Sequence, residues 1–95
     1  MTVAKTHHYT VEPADLGELL ARRAALITAV RAAYPGLIGT QLTRLEDGTF
    51  TDTWRWDTVE RMRAARPATS LPEAQAAMSL VRDHSARNGE IIDER

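Results

Sequence analysis

The spacing of apolar residues changes at Glu12-Pro13 and changes back after Pro35-Gly36. That double switch restricts the chain to folds that alternate strands with helices. Val3 to Val11, with Val3, Tyr9 and Val11 among threonines and histidines, has the β-branched and aromatic content of a strand. From Leu16 onward, Leu16, Leu19, Leu20, Ala24, Ile27, Val30 and Tyr34 recur at three- and four-residue steps, which is one face of an amphipathic helix. Asp15 and Glu18 are spaced for a capping box, and Pro35-Gly36 is a stop signal.

Two β-rich runs, Leu37 to Leu45 and Thr49 to Trp56, flank Glu46-Asp47-Gly48 and predict a hairpin. A two-residue Asp47-Gly48 loop would set Leu45 opposite Phe50, Thr43 opposite Asp52, Gln41 opposite Trp54 and Gly39 opposite Trp56. A shift of one residue in the turn would change every pair. Asp57 and Glu60 offer a second capping box for a short helix ending at Pro67. Ser70 and Pro72 open another helix, whose stripe Ala74, Ala77, Met78 and Val81 runs to about His84. Asn88-Gly89 breaks the chain before a last short strand over Glu90 to Glu94. The order β-α-β-β-α-β predicts a ferredoxin-like α+β fold, a four-stranded antiparallel sheet with helices on one face, in one domain over residues 1–95.

At 10.6 kDa the core is thin. Two helical regions cover one side of such a sheet, and the other side is expected to carry Ile38 and Leu42 among threonines, so a sheet-to-sheet homodimer is expected. The absence of cysteine removes disulfides and thiol nucleophiles. A net charge of −1 gives no electrostatic case for nucleic acid or an anionic membrane. With neither a long apolar run nor a basic-then-apolar opening, the expectation is a cytoplasmic protein.

Tyr9-Thr10-Val11-Glu12-Pro13, the helix ending in Tyr34-Pro35-Gly36-Leu37, and Asp52-Thr53-Trp54-Arg55-Trp56-Asp57-Thr58 running into a helix together resemble the antibiotic biosynthesis monooxygenase family. The likeness covers nearly the whole chain, and its most telling part is Trp56 with Thr58 two positions later. It implies a dimeric α/β-barrel and, for some members, cofactor-free oxygenation of aromatic polyketides, in which the deprotonated substrate passes an electron to oxygen. The same fold also serves haem-degrading enzymes, cyclases and proteins without catalysis. Haem-degrading relatives place an axial histidine roughly nine positions after that tryptophan; here the region reads Arg63-Ala64-Ala65-Arg66, so haem ligation from it is not supported.

Phe50, Asp52, Trp54 and Trp56 alternate onto one strand face. The tryptophans and Phe50 are either core aromatics or a wall gripping a flat substrate, and Tyr34, ending the helix stripe, joins them as a binding candidate. Asp52 on that face is either a desolvated general base or the partner of a helix arginine. His84 is the second acid–base candidate, with a helix-end role as its alternative. His7 and His8 point to opposite faces of a strand and cannot chelate one ion together; both are expected to be surface or sheet-face polar residues. Arg61, Arg63 and Arg66 are expected to form a solvated helix face. No cofactor and no metal site is expected. The resulting expectation is a cofactor-independent monooxygenase acting on a small aromatic or polyketide-like molecule. A cyclase and a non-catalytic ligand-binding dimer are the alternatives. Asp52 and His84 discriminate between them: two titratable groups converging on a void favour an enzyme, and a cavity filled by side chains favours the module.

Overall fold

A computed structural model describes all residues, Met1–Arg95. Strand β1 (Val3–Val11) leads through a 3-10 turn at Pro13–Asp15 into helix α1 (Leu16–Ala33). Then follow β2 (Leu37–Arg44), β3 (Phe50–Trp56), α2 (Val59–Ala64), a second 3-10 turn (Arg66–Ser70), α3 (Pro72–Met78) and β4 (Val81–Glu90). The sheet order is β2-β3-β1-β4, with every neighbouring pair antiparallel. This is the ferredoxin-like α+β arrangement that the alternation of periods predicts.

The hairpin differs from expectation by one residue, with large consequences. Gly48 N–H donates to the Leu45 carbonyl at 3.0 Å, and Leu45 N–H donates to Thr49 at 2.8 Å. The loop therefore has three residues, Glu46 to Gly48, with Gly48 at φ 87 supplying the left-handed step of a bulged hairpin. Asp47 adds its own side-chain bonds to the Thr49 amide and hydroxyl, at 2.9 and 2.6 Å. The resulting pairs are Arg44 with Phe50, Leu42 with Asp52 and Thr40 with Trp54. Since side chains alternate along a strand, this slip moves Leu42 to the helix-covered face, where it packs near Phe50. Ile38 sits in a bulge of β2 and is 46% exposed. The open sheet face consequently holds Thr6, His8, Thr10, Thr51, Thr53 and Gln41, and lacks the large aliphatic residues expected there.

The end of the chain differs more. The helix stops at Met78, and His84 lies on β4, which runs through Asn88-Gly89 instead of breaking there. Glu90 closes the strand, and Ile91 and Ile92 lie beyond it. Small and polar residues can occupy this strand because it is the sheet edge, where burial is slight. Caps also shift. Thr58, not Asp57, caps α2 by accepting from the Arg61 amide at 3.1 Å, while Asp57 pairs with the Arg61 side chain at 2.9 Å. Asp15 occupies the N-cap of α1 without a side-chain cap bond, and Leu71 replaces Ser70 at the start of α3.

Two clusters make the core. One joins Val3, Val30, Trp54, Trp56 and Ala65, and the other joins Tyr9, Leu19, Phe50 and Ala77. Between the sheet and the helices they leave a cavity of about 400 Å³.

Candidate active site

On the covered face, β1 presents Val3, Lys5, His7 and Tyr9 opposite Trp56, Trp54, Asp52 and Phe50 of β3. On its other side, Lys5 and His7 face Asn88 and Ala86 of β4. The cavity floor is therefore split. Its β3 side is aromatic through Trp54 and Trp56, and its β1–β4 side carries nitrogen-bearing side chains, Lys5, His7, His84 and Asn88. Leu19, Leu26 and Val30 of α1, with Val59 and Met62 of α2, close the apolar roof.

Asp52 lies at the middle of the floor with 6% of its surface exposed. Arg23 of α1 grips it with two parallel bonds, Nε to Oδ2 at 3.0 Å and Nη2 to Oδ1 at 2.9 Å. The Tyr9 hydroxyl donates to Oδ2 at 2.9 Å, and Trp54 Nε1 donates to Oδ1 at 3.0 Å. A carboxylate has about four acceptor positions, and four donors meet this one. The geometry thus corrects the expectation of a general base at Asp52: no lone pair is left to take a substrate proton, and the helix arginine named as its alternative partner is present. Burial, the charge of Asp52 and the bond to it together push the Tyr9 hydroxyl well above the ordinary phenol range, so it stays a donor. Arg23 is a site residue not expected from the sequence, although its position was informative. Leu19, Arg23, Leu26 and Val30 follow steps of four, three and four, which puts an arginine inside the apolar stripe.

His84 reaches the cavity from the edge strand and meets His7: Nδ1 of His7 and Nε2 of His84 are 2.7 Å apart, with the rings stacked at 5.0 Å between centroids. His7 is thus a polar residue of the covered sheet face, and His8 lies on the opposite face, bonded to Thr49 at 2.9 Å. His7 pairs with Ala86, so His84 shares the inner face by alternation; Asp83, at φ 54, is an extra residue between the pairs His8–Ser85 and Thr10–Arg82, and beyond it Val81 faces inward again. Burial first, and then the neighbouring His84 imidazole, lower the pKa of His7 to about 4. His7 is therefore neutral at ordinary pH. In the tautomer in which Nε2–H of His84 donates to Nδ1 of His7, Nδ1 of His84 carries a lone pair with no partner within the protein. No third metal-binding side chain stands beside the two imidazoles.

Trp54 and Trp56 are buried in the core, and each also lines the cavity. Phe50 and Tyr34 do not line it. Phe50 is enclosed with Tyr9 and Leu19, and Tyr34 packs beneath the other cluster. Arg61 is engaged with Asp57, as a helix-face residue should be, but Arg63 and Arg66 reach the cavity rim.

The segment after Trp56 supplies no imidazole, so haem ligation from that position is not supported.

No protein-family model matches the sequence, and no curated protein matches it. Solved structures do. SnoaB, a cofactor-independent oxygenase from Streptomyces nogalater, superposes with a TM-score of 0.71 at 22% identity, over 98% of this chain and 95% of that one. An antibiotic biosynthesis monooxygenase gives 0.67 at 10% identity, over 96% and 99%. A MhuD variant with two manganese protoporphyrin IX molecules bound per active site gives 0.65 at 22% identity, over 98% and 97%. At these identities the likeness establishes architecture. The chain has the fold of the antibiotic biosynthesis monooxygenases, along its whole length.

Proposed function

We propose that the protein is a cofactor-independent monooxygenase acting on an aromatic or polyketide-like molecule held between sheet and helices. The observation that carries this reading is a hydrogen-bonded pair of imidazoles converging on an aromatic-walled void of about 400 Å³. Of the two groups that would mark an enzyme, Asp52 is engaged by Arg23, Tyr9 and Trp54, and His84 keeps its place on an open void with His7 as its partner.

In this reading His84 is the base. Its Nδ1 takes a proton from an activated methylene carbon of the substrate. The Nε2–H bond to neutral His7 orients the ring and stabilises the imidazolium that forms, so His7 is a positioning residue. The carbanion, spread over the aromatic system, passes one electron to O2, and the radical and superoxide join at the same carbon. The peroxide that results loses water and leaves a carbonyl. Two hydrogens leave the carbon, one oxygen atom enters it and the other departs as water, so no external reductant is consumed. Trp54, Trp56 and the α1 roof hold the rings and keep water from the carbanion. Asp52, locked by Arg23, Tyr9 and Trp54, keeps the wall rigid and takes no part in proton transfer.

Oxygen uptake with a hydroxyanthrone, using protein dialysed against chelator and without flavin, tests the proposal. Wild type should accelerate uptake and form the quinone, and His84→Gln should lower kcat by roughly 10²–10⁴-fold. Wild-type protein that leaves the uncatalysed rate unchanged, yet binds the compound, would favour the ligand-binding module.

A further inference from the structure

Two imidazoles from different strands meet on the cavity lining. Nδ1 of His7 on β1 and Nε2 of His84 on β4 are 2.7 Å apart, so both nitrogens are directed at the same small space. A neutral imidazole has one bare nitrogen, and moving the His84 proton from Nε2 to Nδ1 bares both facing nitrogens. No proton leaves the pair in that exchange. A tetrahedral ion about 2.0–2.1 Å from each nitrogen holds them roughly 3.3 Å apart, so one ring must withdraw by about 0.6 Å. His84 has room to do so. It is exposed on the edge strand, and the residue opposite His7 on β4 is the small Ala86.

The surroundings select the class of ion. Asp52, the cross-strand partner of His7, is the only carboxylate on the cavity lining, and Arg23, Tyr9 and Trp54 occupy its acceptor positions. Glu60 and Glu90 belong to a neighbouring hollow at the Val3 end of β1. Hard ions such as Mg2+ and Ca2+, which take oxygen ligands, therefore find no free carboxylate at the pair. Lys5, two residues from His7 on the same face, and Arg63 and Arg66 at the rim oppose any cation. Only an ion that gains strongly from imidazole nitrogen is held against them.

We infer that His7 and His84 form a binding site for one borderline divalent transition ion, with Zn2+ as its representative, bridged between β1 and β4 and completed by water. The site stands on the geometry of the pair and does not depend on the oxygenase reading. Where that reading holds, the ion has a consequence for it. With Nε2 on the metal, the His84 proton sits on Nδ1, the atom that would accept the substrate proton. Zn2+ is then a reversible inhibitor, removed by chelator.

Calorimetric titration of the untagged full chain with ZnCl2, after dialysis against chelator, tests the site. One ion should bind per chain, and MgCl2 should give no binding heat. Saturating Zn2+ should raise Tm by roughly 5 °C or more, because the bridge exists only in the folded chain. His7→Gln and His84→Gln should each weaken binding at least about tenfold. His8→Gln, on the opposite sheet face, should bind as wild type does. The imidazole NMR signals of wild type give the same assignment without a variant: those of His7 and His84 should move on adding Zn2+, and those of His8 should not. Wild type that shows neither binding heat nor a change in Tm overturns the site. Binding that persists in both single variants, or that moves the His8 signals instead, overturns its assignment to the pair. Wild type that binds one ion through the pair yet lacks oxygenase activity supports the site and overturns only the reading of His84 as a base.

Discussion

Arg23 and Asp52, 29 residues apart in sequence, form a two-pronged ion pair between helix α1 and strand β3, with bonds of 2.9 and 3.0 Å and side chains only 14% and 8% exposed. Both charges are buried, and each makes the other tolerable. Taking either out of water alone costs several kcal/mol, whereas the pair with Tyr9 and Trp54 satisfies the carboxylate fully.

Removing one member should therefore be costly. Asp52→Asn keeps the side-chain size and leaves the Arg23 guanidinium buried without its counter-charge. The expected loss is about 3–5 kcal/mol, enough to lower Tm by on the order of 10 °C or more at neutral pH. Arg23→Met should cost a comparable amount, and the double variant should cost less than the sum. A melt of Asp52→Asn within a degree or two of wild type would show that the pair is not formed in solution.

The His7–His84 contact predicts a specific pH dependence. His7 titrates at about 4 in the folded protein against about 6.5 when unfolded, so the unfolded chain binds more protons between those values. Stability from this group is complete above about pH 6.5 and declines as the pH falls toward 4. His7→Gln should lose less stability across that window than wild type, by on the order of 5 °C in Tm. Parallel Tm–pH curves for the two proteins would contradict the burial of His7.

Two glycines separate backbone cost from steric cost. Gly48 has φ 87 and open space around its missing side chain, so Gly48→Ala should cost about 1–2 kcal/mol from the left-handed conformation alone. Gly36 has φ 105, and a Cβ there would lie 2.6 Å from Asp57 Oδ1 and 2.7 Å from Arg61 Cδ. Gly36→Ala should cost the same backbone penalty and also displace the Asp57–Arg61 pair. Chemical denaturation of both variants checks the order, and an equal or smaller loss at Gly36 would count against the close approach.

The open sheet face makes assembly testable. Its threonines surround Thr6 and Thr53, cross-strand partners flanked by Gln41 of β2 and Arg87 of β4. Sedimentation should show a particle of about twice 10.6 kDa at micromolar concentration, and Thr6→Glu/Thr53→Glu should give the monomer by placing like charges at the centre of the contact. A wild-type monomer would count against a sheet-to-sheet pair.

The sequence by itself determined the elements whose signals are local. The helix over Leu16–Ala33, the strands beginning at Val3 and ending at Trp56, and the turn around Gly48 all follow from the period of apolar residues and from proline and glycine. So does the placing of Asp52 among aromatics, because alternation on a strand needs no knowledge of neighbours. Tertiary structure decided the rest. The hairpin slipped by one residue because a three-residue bulged loop and a two-residue loop share the same glycine, and only pairing between strands selects one. His84 reads as a helix end, yet edge-strand pairing with β1 outweighs the weak helical stripe of Val81 and its neighbours, and the pairing of Ala86 with His7 turns its ring inward. Arg23 in one apolar stripe and Asp52 on one aromatic face were both legible as misplaced charges. That they are each other's solution depends on the packing of α1 across β3, a contact between segments that no local pattern encodes.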